Sequence, residues 1–291
     1  MRLIKLSFIL IILIISGLWL LAEQPAMPTT IQAFHDIFVQ YSGVLSISVM
    51  SIAIFLATRP QWLETRLHGL DKLYRLHKWL GITLLVTATS HWLIANSVKI
   101  AVEQGNLGAE HLRPTPPASM GGLESFLFQQ QGIAVGVAGL ALWVISALLI
   151  IALIKKIPYR IFTKLHHWIS LAYLLIAFHA IVMFKFSYWS QPLGWVMAVL
   201  LVAGIYSALV VLTRRIGKQH KVQAELTHYN YHSDLKVIEA NFKLANGWQG
   251  HEAGQFAFIT TSAKEGAHPF SIASAWDPKN PNLSFVAKEL G

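Results

Sequence analysis

Six apolar stretches, each about 20 residues long, set the strongest limit on what this chain can fold into. The hydrocarbon core of a bilayer is about 30 Å thick, and a helix of about 20 residues crosses it. Only 13% of the 291 residues are charged and 54% are hydrophobic, which is too apolar for an ordinary soluble domain. We therefore predict membrane-spanning helices at Leu3–Leu21, Ile37–Thr58, Tyr74–Ala95, Gly132–Ile154, Phe162–Phe184 and Leu193–Leu212.

The first of these stretches could also be read as a secretory signal, because Arg2 and Lys5 precede its apolar run. That run is long for the core of a signal peptide, and no clear small-residue cleavage site follows it. We interpret it as an uncleaved helix.

The basic residues fall on one side of this predicted arrangement, within a net charge of +9. Fifteen Lys and Arg residues lie before or at the start of the first stretch, between the second and third or the fourth and fifth or at the ends that flank these loops, and soon after the sixth. The loops on the other side hold only Lys99, Arg113 and Lys185. Because cytoplasmic loops carry the excess of Lys and Arg, we predict a multi-pass protein of the cell (inner) membrane with its N-terminus and its C-terminal region in the cytoplasm. The same distribution indicates a membrane-lipid partner and no nucleic acid.

Two of the stretches carry histidines at matching depths. His77 and His91 lie fourteen residues apart in the third stretch. They are therefore separated by about 21 Å along a helix and lie within about 40° of the same face. His166, His167 and His179 are arranged similarly in the fifth stretch. Histidine is costly in hydrocarbon and is normally paired there, so these residues indicate a binding function.

The matching depths predict that His77 pairs with His166 and His91 with His179, each pair holding one b-type haem. Helical geometry leaves one alternative open, because His179 falls about 140° short of a whole turn from His166 and about 120° past one from His167. The chain has no cysteine, which excludes covalent c-type haem and iron–sulfur clusters. A transition-metal transporter could also use such histidines, but it would usually add carboxylates or thioethers, and the third and fifth stretches contain no Asp or Glu.

The composition changes abruptly after the sixth stretch. From about Thr213 the chain is polar and shows short alternating runs separated by Gly, Asn, Pro and Asp, which is typical of β-strands. We predict two domains, a six-span haem-binding transmembrane domain at 1–213 and a cytoplasmic β-domain at 214–291. The second is incomplete, because the chain ends directly after a predicted strand.

The β-domain contains a motif that resembles a known family. His268-Pro269-Phe270-Ser271 is similar to the HPF[ST] flavin-binding motif of ferric reductases and NADPH oxidases, and Gly254-Gln255-Phe256 is similar to the start of the strand that precedes it. The histidine spacings of the third and fifth stretches also resemble that family, in which the first of the two adjacent histidines is the ligand. The resemblance therefore implies His166 rather than His167.

The resemblance further implies the fold and the activity. The expected fold is an all-α six-helix transmembrane bundle followed by an incomplete β-barrel FAD-binding domain, with His268, Pro269, Phe270 and Ser271 lining the flavin. The expected enzyme passes electrons from NAD(P)H through FAD and two b haems to a small-molecule acceptor at the outer face, either ferric iron or its chelate, or O2. The NAD(P)H site is expected beyond Gly291. Two alternatives remain, a haem-bearing relay subunit that serves a periplasmic enzyme and a non-enzymatic metal or haem transporter.

Overall fold

The computed structural model describes residues 2–24, 30–67, 69–106, 108, 121–154, 156–217, 221–248, 250–251, 255–261 and 267–289. Of the residues on which the sequence predictions rest, Arg113, Gly254 and Gly291 lie outside these ranges.

The first part of the chain is helical. Its helices are α1 (Arg2–Glu23), α2 (Ile31–Ala57), α3 (Gln61–Leu67), α4 (Leu70–Glu103), α5 (Gly122–Leu153), α6 (Tyr159–His167), α7 (Ile169–Met183) and α8 (Pro192–Leu212), with a short 3₁₀-helix at Phe186–Ser190 between the last two. Among the described residues, five segments are long and apolar enough to cross a membrane: Leu3–Glu23, Ile31–Ala57, Gly122–Leu153, Ile161–Met183 and Pro192–Leu212. These correspond to five of the six predicted stretches.

The remaining predicted stretch, the third (Tyr74–Ala95), lies within α4 and differs from the others. The helix has 34 residues and is thus about 51 Å long, which is ample for a span. Its middle is less apolar than the other five segments, because two histidines, two cations and several hydroxyl side chains interrupt it. The predicted count of six spans therefore stays a prediction.

The fifth predicted stretch is not one continuous α-helix. It divides at Trp168 into α6 and α7. The Trp168 N–H donates to the Leu165 carbonyl at 3.0 Å, and the Leu171 N–H donates to the Trp168 carbonyl at 3.1 Å. These are bonds between residues three apart, which wind the chain more tightly than an α-helix. The break lies between the two histidine positions of this stretch.

The helical core forms where α2, α7 and α8 pack together, while α5 packs along α7. Tyr173 of α7 is fully buried, and its hydroxyl lies 2.9 Å from that of Ser51 on α2. Gly204 of α8 permits this packing, because a Cβ atom there would lie 1.9 Å from the Tyr173 hydroxyl oxygen. Among the described residues, α4 makes no comparably extended close approach to another helix.

The chain divides into two compact units, one comprising Met1–Pro60 and Tyr74–Arg214 and the other Gln61–Leu73 and Arg215–Gly291. The second unit contains five strands: β1 (Ala224–His232), β2 (Val237–Leu244), β3 (Phe256–Thr260), β4 (Ala267–Ser271) and β5 (Asn282–Lys288). All the pairings are antiparallel, with a three-stranded sheet in the order β1-β2-β5 and a two-stranded sheet of β3 and β4.

The two sheets share a small core of Leu244, Ile272, Leu283 and Phe285. An isolated bridge between Ile272 and Phe285 joins them. The described strands therefore form a small sheet region and not a closed barrel. The structure thus does not show the β-barrel that was predicted for this part of the chain.

Candidate functional site

Four histidines of the helical unit form two pairs. The ring centroids of His77 and His166 are 6.0 Å apart with the ring planes at 69°, and those of His91 and His179 are 6.4 Å apart at 73°. The remaining candidate, His167, has its ring beside Trp168, at a centroid distance of 6.5 Å. These are the two pairs that were predicted from the matching depths of the histidines. The structure also places His166, and not His167, against α4.

The helix break at Trp168 accounts for this arrangement. On an ideal helix, thirteen residues would leave His179 about 140° away from the face of His166. Both residues nevertheless lie beside histidines that share one face of α4. The tighter turn at Trp168 adds rotation between α6 and α7, in the direction that reduces this offset. Hydrophobic periodicity carries no signal for such a local change of winding.

Backbone carbonyls orient two of the four rings. His77 Nδ1 lies 2.8 Å from the carbonyl oxygen of Ala53 on α2, and His179 Nδ1 lies 3.1 Å from that of Ala134 on α5. A carbonyl oxygen can only accept, so Nδ1 carries the proton in both residues. The lone pair is then on Nε2, which is the nitrogen available to a metal.

A serine orients the third ring. His91 Nδ1 lies 3.0 Å from Ser42 Oγ, and Ser42 Oγ lies 2.6 Å from the carbonyl oxygen of Phe38 one turn earlier in α2. Because a hydroxyl has one proton and Ser42 donates it to Phe38, it must accept from His91 Nδ1. His91 therefore also presents Nε2.

Gly43, the next residue of α2, leaves room for the His91 ring. A Cβ atom at this position would lie 3.2 Å from Cε1 of His91, which is closer than ordinary van der Waals contact. Neither Ser42 nor Gly43 was identified from the sequence, because a single serine or glycine in an apolar helix has no distinctive pattern. The carbonyl oxygens of Ala53 and Ala134 leave no trace in the sequence at all.

The fourth ring, that of His166, is held differently. Its Nδ1 atom is buried and has no hydrogen-bond partner among the described residues. Its ring packs beside Phe162, one turn earlier in α6, at a centroid distance of 5.0 Å. Packing against this aromatic ring, rather than a hydrogen bond, therefore restrains His166.

The spacing of the two pairs fits a metal between their rings. A bond of about 2 Å from the metal to each imidazole nitrogen, with about 1 Å from each nitrogen to its ring centre, places two axial rings about 6 Å apart. The observed values of 6.0 and 6.4 Å agree with this. Among the described residues, no group of three or more His, Asp or Glu side chains comes together. A pair of histidines suits haem, because the porphyrin supplies the other four ligands of the iron.

The HPFS motif forms β4, and its residues alternate between the two faces of the β3–β4 sheet. Phe270 lies opposite Ala257 and packs against Phe285 of the core at a centroid distance of 6.3 Å. His268 lies opposite Ile259 on the same face. Phe270 is therefore partly buried against the core, and the expectation that it lines the flavin stays a prediction.

The other face of this sheet carries Pro269 and Ser271, which are exposed and lie opposite Phe258 and Phe256. The rings of these two phenylalanines are 6.1 Å apart. Aromatic rings beside a hydroxyl group suit a flat heteroaromatic ligand such as the isoalloxazine ring of a flavin. Pro269 and Ser271 are therefore placed where such a ligand could stack, and the flavin role of the whole motif stays a prediction.

Comparison with known proteins agrees with the helical part of this description. Residues 42–177 match the family model described as "Ferric reductase like transmembrane component". The match includes three of the four paired histidines, His77, His91 and His166, and His179 lies two residues beyond its end. No curated protein matches the chain. Over this helical part, the membrane-spanning chain is therefore similar to the transmembrane component of ferric reductases.

Proposed function

We propose that this protein is a membrane flavohaem oxidoreductase that passes electrons from cytoplasmic NAD(P)H, through FAD and two b haems, to an acceptor at the outer face. The observation that carries the proposal is that four histidines form two pairs in a ferric-reductase-like transmembrane domain. The ring centres are 6.0 Å apart in one pair and 6.4 Å apart in the other. Ferric iron, a ferric chelate and O2 are the acceptors that the family suggests.

The four histidines hold the cofactors in this proposal. His77 and His166 are the ligands of the inner haem, and His91 and His179 are those of the outer haem. A haem held by two histidines carries single electrons and has no open position on its iron. Ala53, Ala134 and Ser42 bond to Nδ1 of three of the rings, so that Nε2 would be the nitrogen that binds the iron.

The position of α4 relative to the neighbouring helices also agrees with the proposal. A porphyrin ring needs a flat space between the helices that supply its ligands. The other main helices pack closely along one another, whereas α4 does not. The wider separation of α4 from α6 and α7 would leave room for such a group between their histidine rings.

The flavin enters the proposal through the β3–β4 sheet. Ser271 and Pro269 lie on the exposed face, together with Phe256 and Phe258. We assign Ser271 to positioning the flavin ring by a hydrogen bond. His268 and Phe270 support the strand from the core side, and the remainder of the FAD and NAD(P)H sites is expected beyond Gly291.

Two other functions compete with this one. A haem-bearing relay subunit would use the same four histidines but would not need a flavin-binding face on the C-terminal unit. A metal transporter would need three or more protein ligands for each ion, whereas each pair provides two. The paired histidines favour haem, and the β3–β4 face favours the flavohaem enzyme over the relay subunit.

Haem stoichiometry tests the proposal. The purified protein should contain two b haems per chain, which acid acetone extracts because they are not covalently attached. Its reduced-minus-oxidised spectrum should be that of low-spin haem, since both axial positions are filled. Well-folded protein with one haem or none would refute the scheme of two pairs.

A further inference from the structure

A cleft opens at the end of the helical unit where His91 and His179 lie. It has a volume of about 230 Å³ and is formed by one residue of α2, four near the start of α5, and the chain around the end of α7. Its lining consists of Gln40, Glu124, Leu127, Phe128, Gln131, Val182, Met183, Phe184, Lys185 and Phe186.

Each of the three walls of the cleft includes a residue close in sequence to a group of the His91–His179 site. Gln131 is three residues from Ala134, whose carbonyl accepts from His179, and Val182 is three residues beyond His179 itself. Gln40 is two residues from Ser42, which accepts from His91. Three residues of helix correspond to about 4.5 Å, so a molecule in the cleft would lie beside the outer histidine pair.

The walls of the cleft combine an apolar lining with two amide side chains. The aromatic rings of Phe128, Phe184 and Phe186 and neighbouring aliphatic groups make most of the lining apolar. Two amides, Gln40 and Gln131, come from different helices, α2 and α5. The Gln40 amide donates one N–H to the Met183 carbonyl at 3.4 Å and has a second N–H.

The cation in the described lining of the cleft, Lys185, is already paired with a carboxylate. Lys185 Nζ lies 2.5 Å from Glu23 Oε1 at the end of α1. The Tyr188 hydroxyl donates to the other oxygen of Glu23, and burial together with this carboxylate raises the pKa of Tyr188. Lys185 is therefore already neutralised, and the carboxylate of Glu124 makes the cleft unfavourable for a negatively charged chelate.

We propose that this cleft binds a quinone-type ring as the electron acceptor of the outer histidine pair. A volume of about 230 Å³ is below the range of about 300–1,000 Å³ that is usual for drug-sized ligands, so it suits one ring. Apolar walls hold the ring, and amides on two helices can donate to carbonyl oxygens at its opposite sides. A hydrated ferric ion would instead prefer a site with several oxygen ligands, and O2 would need no such cleft.

The inference rests on the proposed function, which supplies the electrons. Reduction of the quinone takes two electrons, originating from one NAD(P)H and delivered one at a time, together with two protons from the aqueous phase. Each carbonyl oxygen becomes a hydroxyl group, and the ring becomes aromatic.

The matched variants are Gln131→Leu and Gln129→Leu. Both replace a glutamine of α5 with leucine, but Gln129 is exposed and does not line the cleft. The probe is a water-soluble benzoquinone with one isoprenyl unit. Its binding to the oxidised, haem-containing full chain is measured by titration calorimetry, and the oxidation of the pre-reduced haems by this probe and by ferric citrate is followed by stopped-flow absorbance.

We expect Gln131→Leu to weaken quinone binding about tenfold, as the loss of one hydrogen bond would, and to slow haem oxidation by the quinone. Gln129→Leu should behave as the wild type, and oxidation by ferric citrate should be unchanged in both. Absence of quinone binding to the wild type, or equal binding by both variants, would overturn the inference. A wild type that holds two haems and reduces ferric citrate but binds no quinone would refute the cleft alone, whereas a wild type without haem would refute the proposed function.

Discussion

The Nδ1 atom of His91 lies 3.0 Å from the hydroxyl oxygen of Ser42, which in turn donates to the Phe38 carbonyl. The equivalent atom of His77, at the other end of α4, is bonded to the Ala53 carbonyl instead. One helix, α2, therefore orients both histidines of α4, but by a side chain at one end and by the backbone at the other. Only the side-chain contact can be removed by substitution.

Replacing Ser42 with Ala should alter the His91–His179 site alone. Partners of metal-bound histidines tune the affinity for the metal by about 10- to 100-fold, so the variant should lose its outer haem more readily on dilution or show a shifted potential for one haem. A redox titration that resolves two components would detect this. Ser48→Ala is the control, because Ser48 lies on the same helix and bonds to Val44 and Met197. Shifts of both components in Ser42→Ala would contradict the assignment.

The two pairs should be separable by histidine substitution. His91→Ala is expected to halve the haem content. The other haem should stay in place, because its ligands His77 and His166 form a separate pair, with His77 at the other end of α4. His77→Ala should remove the haem that receives electrons from the flavin and stop transfer across the membrane. Haem content by the pyridine haemochrome method, with the rate of haem reduction, measures both effects. Full haem content in His91→Ala protein would exclude His91 as a ligand.

The adjacent histidines of α6 should differ. His166 faces His77, whereas His167 lies beside Trp168. His166→Ala should therefore remove one haem, while His167→Ala should retain both and change the spectrum little. The two variants have the same composition and neighbouring positions, so each serves as the control for the other. A greater loss of haem in His167→Ala would reverse the assignment.

A larger residue at Gly43 should displace the His91 ring. A Cβ atom there would lie 3.2 Å from His91 Cε1, so Ala requires a small shift and Leu a large one. We expect partial loss of the outer haem in Gly43→Ala and complete loss in Gly43→Leu. Gly136→Ala is a matched control on α5, since a Cβ atom there meets nothing within 4 Å. Equal haem content in all three variants would show that Gly43 does not shape the site.

The two faces of β4 should separate flavin binding from stability. Ser271→Ala should slow electron transfer from reduced flavin to haem while leaving the haem spectrum and the thermal stability unchanged, because Ser271 is exposed. Phe270→Ala should lower the free energy of unfolding by about 3 kcal/mol, because Phe270 packs against the core. Thermal unfolding and stopped-flow reduction of the haems distinguish the two. Unchanged transfer in Ser271→Ala would remove this residue from the flavin site.

Much of the helical architecture could be predicted from the sequence, since a span must be long and apolar whatever it packs against. Five of the predicted stretches correspond to helices that meet this requirement. The Tyr74–Ala95 stretch was harder to judge, because the histidines that make it functionally important also make it less apolar. The β-strands were likewise visible as period-two alternation, but the arrangement of two small sheets was not, because pairing depends on contacts between distant residues.

The sequence by itself determined the depths of the four histidines, because the rise of a helix is the same for every residue. Only the tertiary structure decided their rotation, since the tight turn at Trp168 changes the winding between His166 and His179 without a matching signal in the hydrophobic pattern. It also decided which groups orient the rings. Two of these are backbone carbonyls, which every residue possesses, and they become specific only when folding places them beside a histidine.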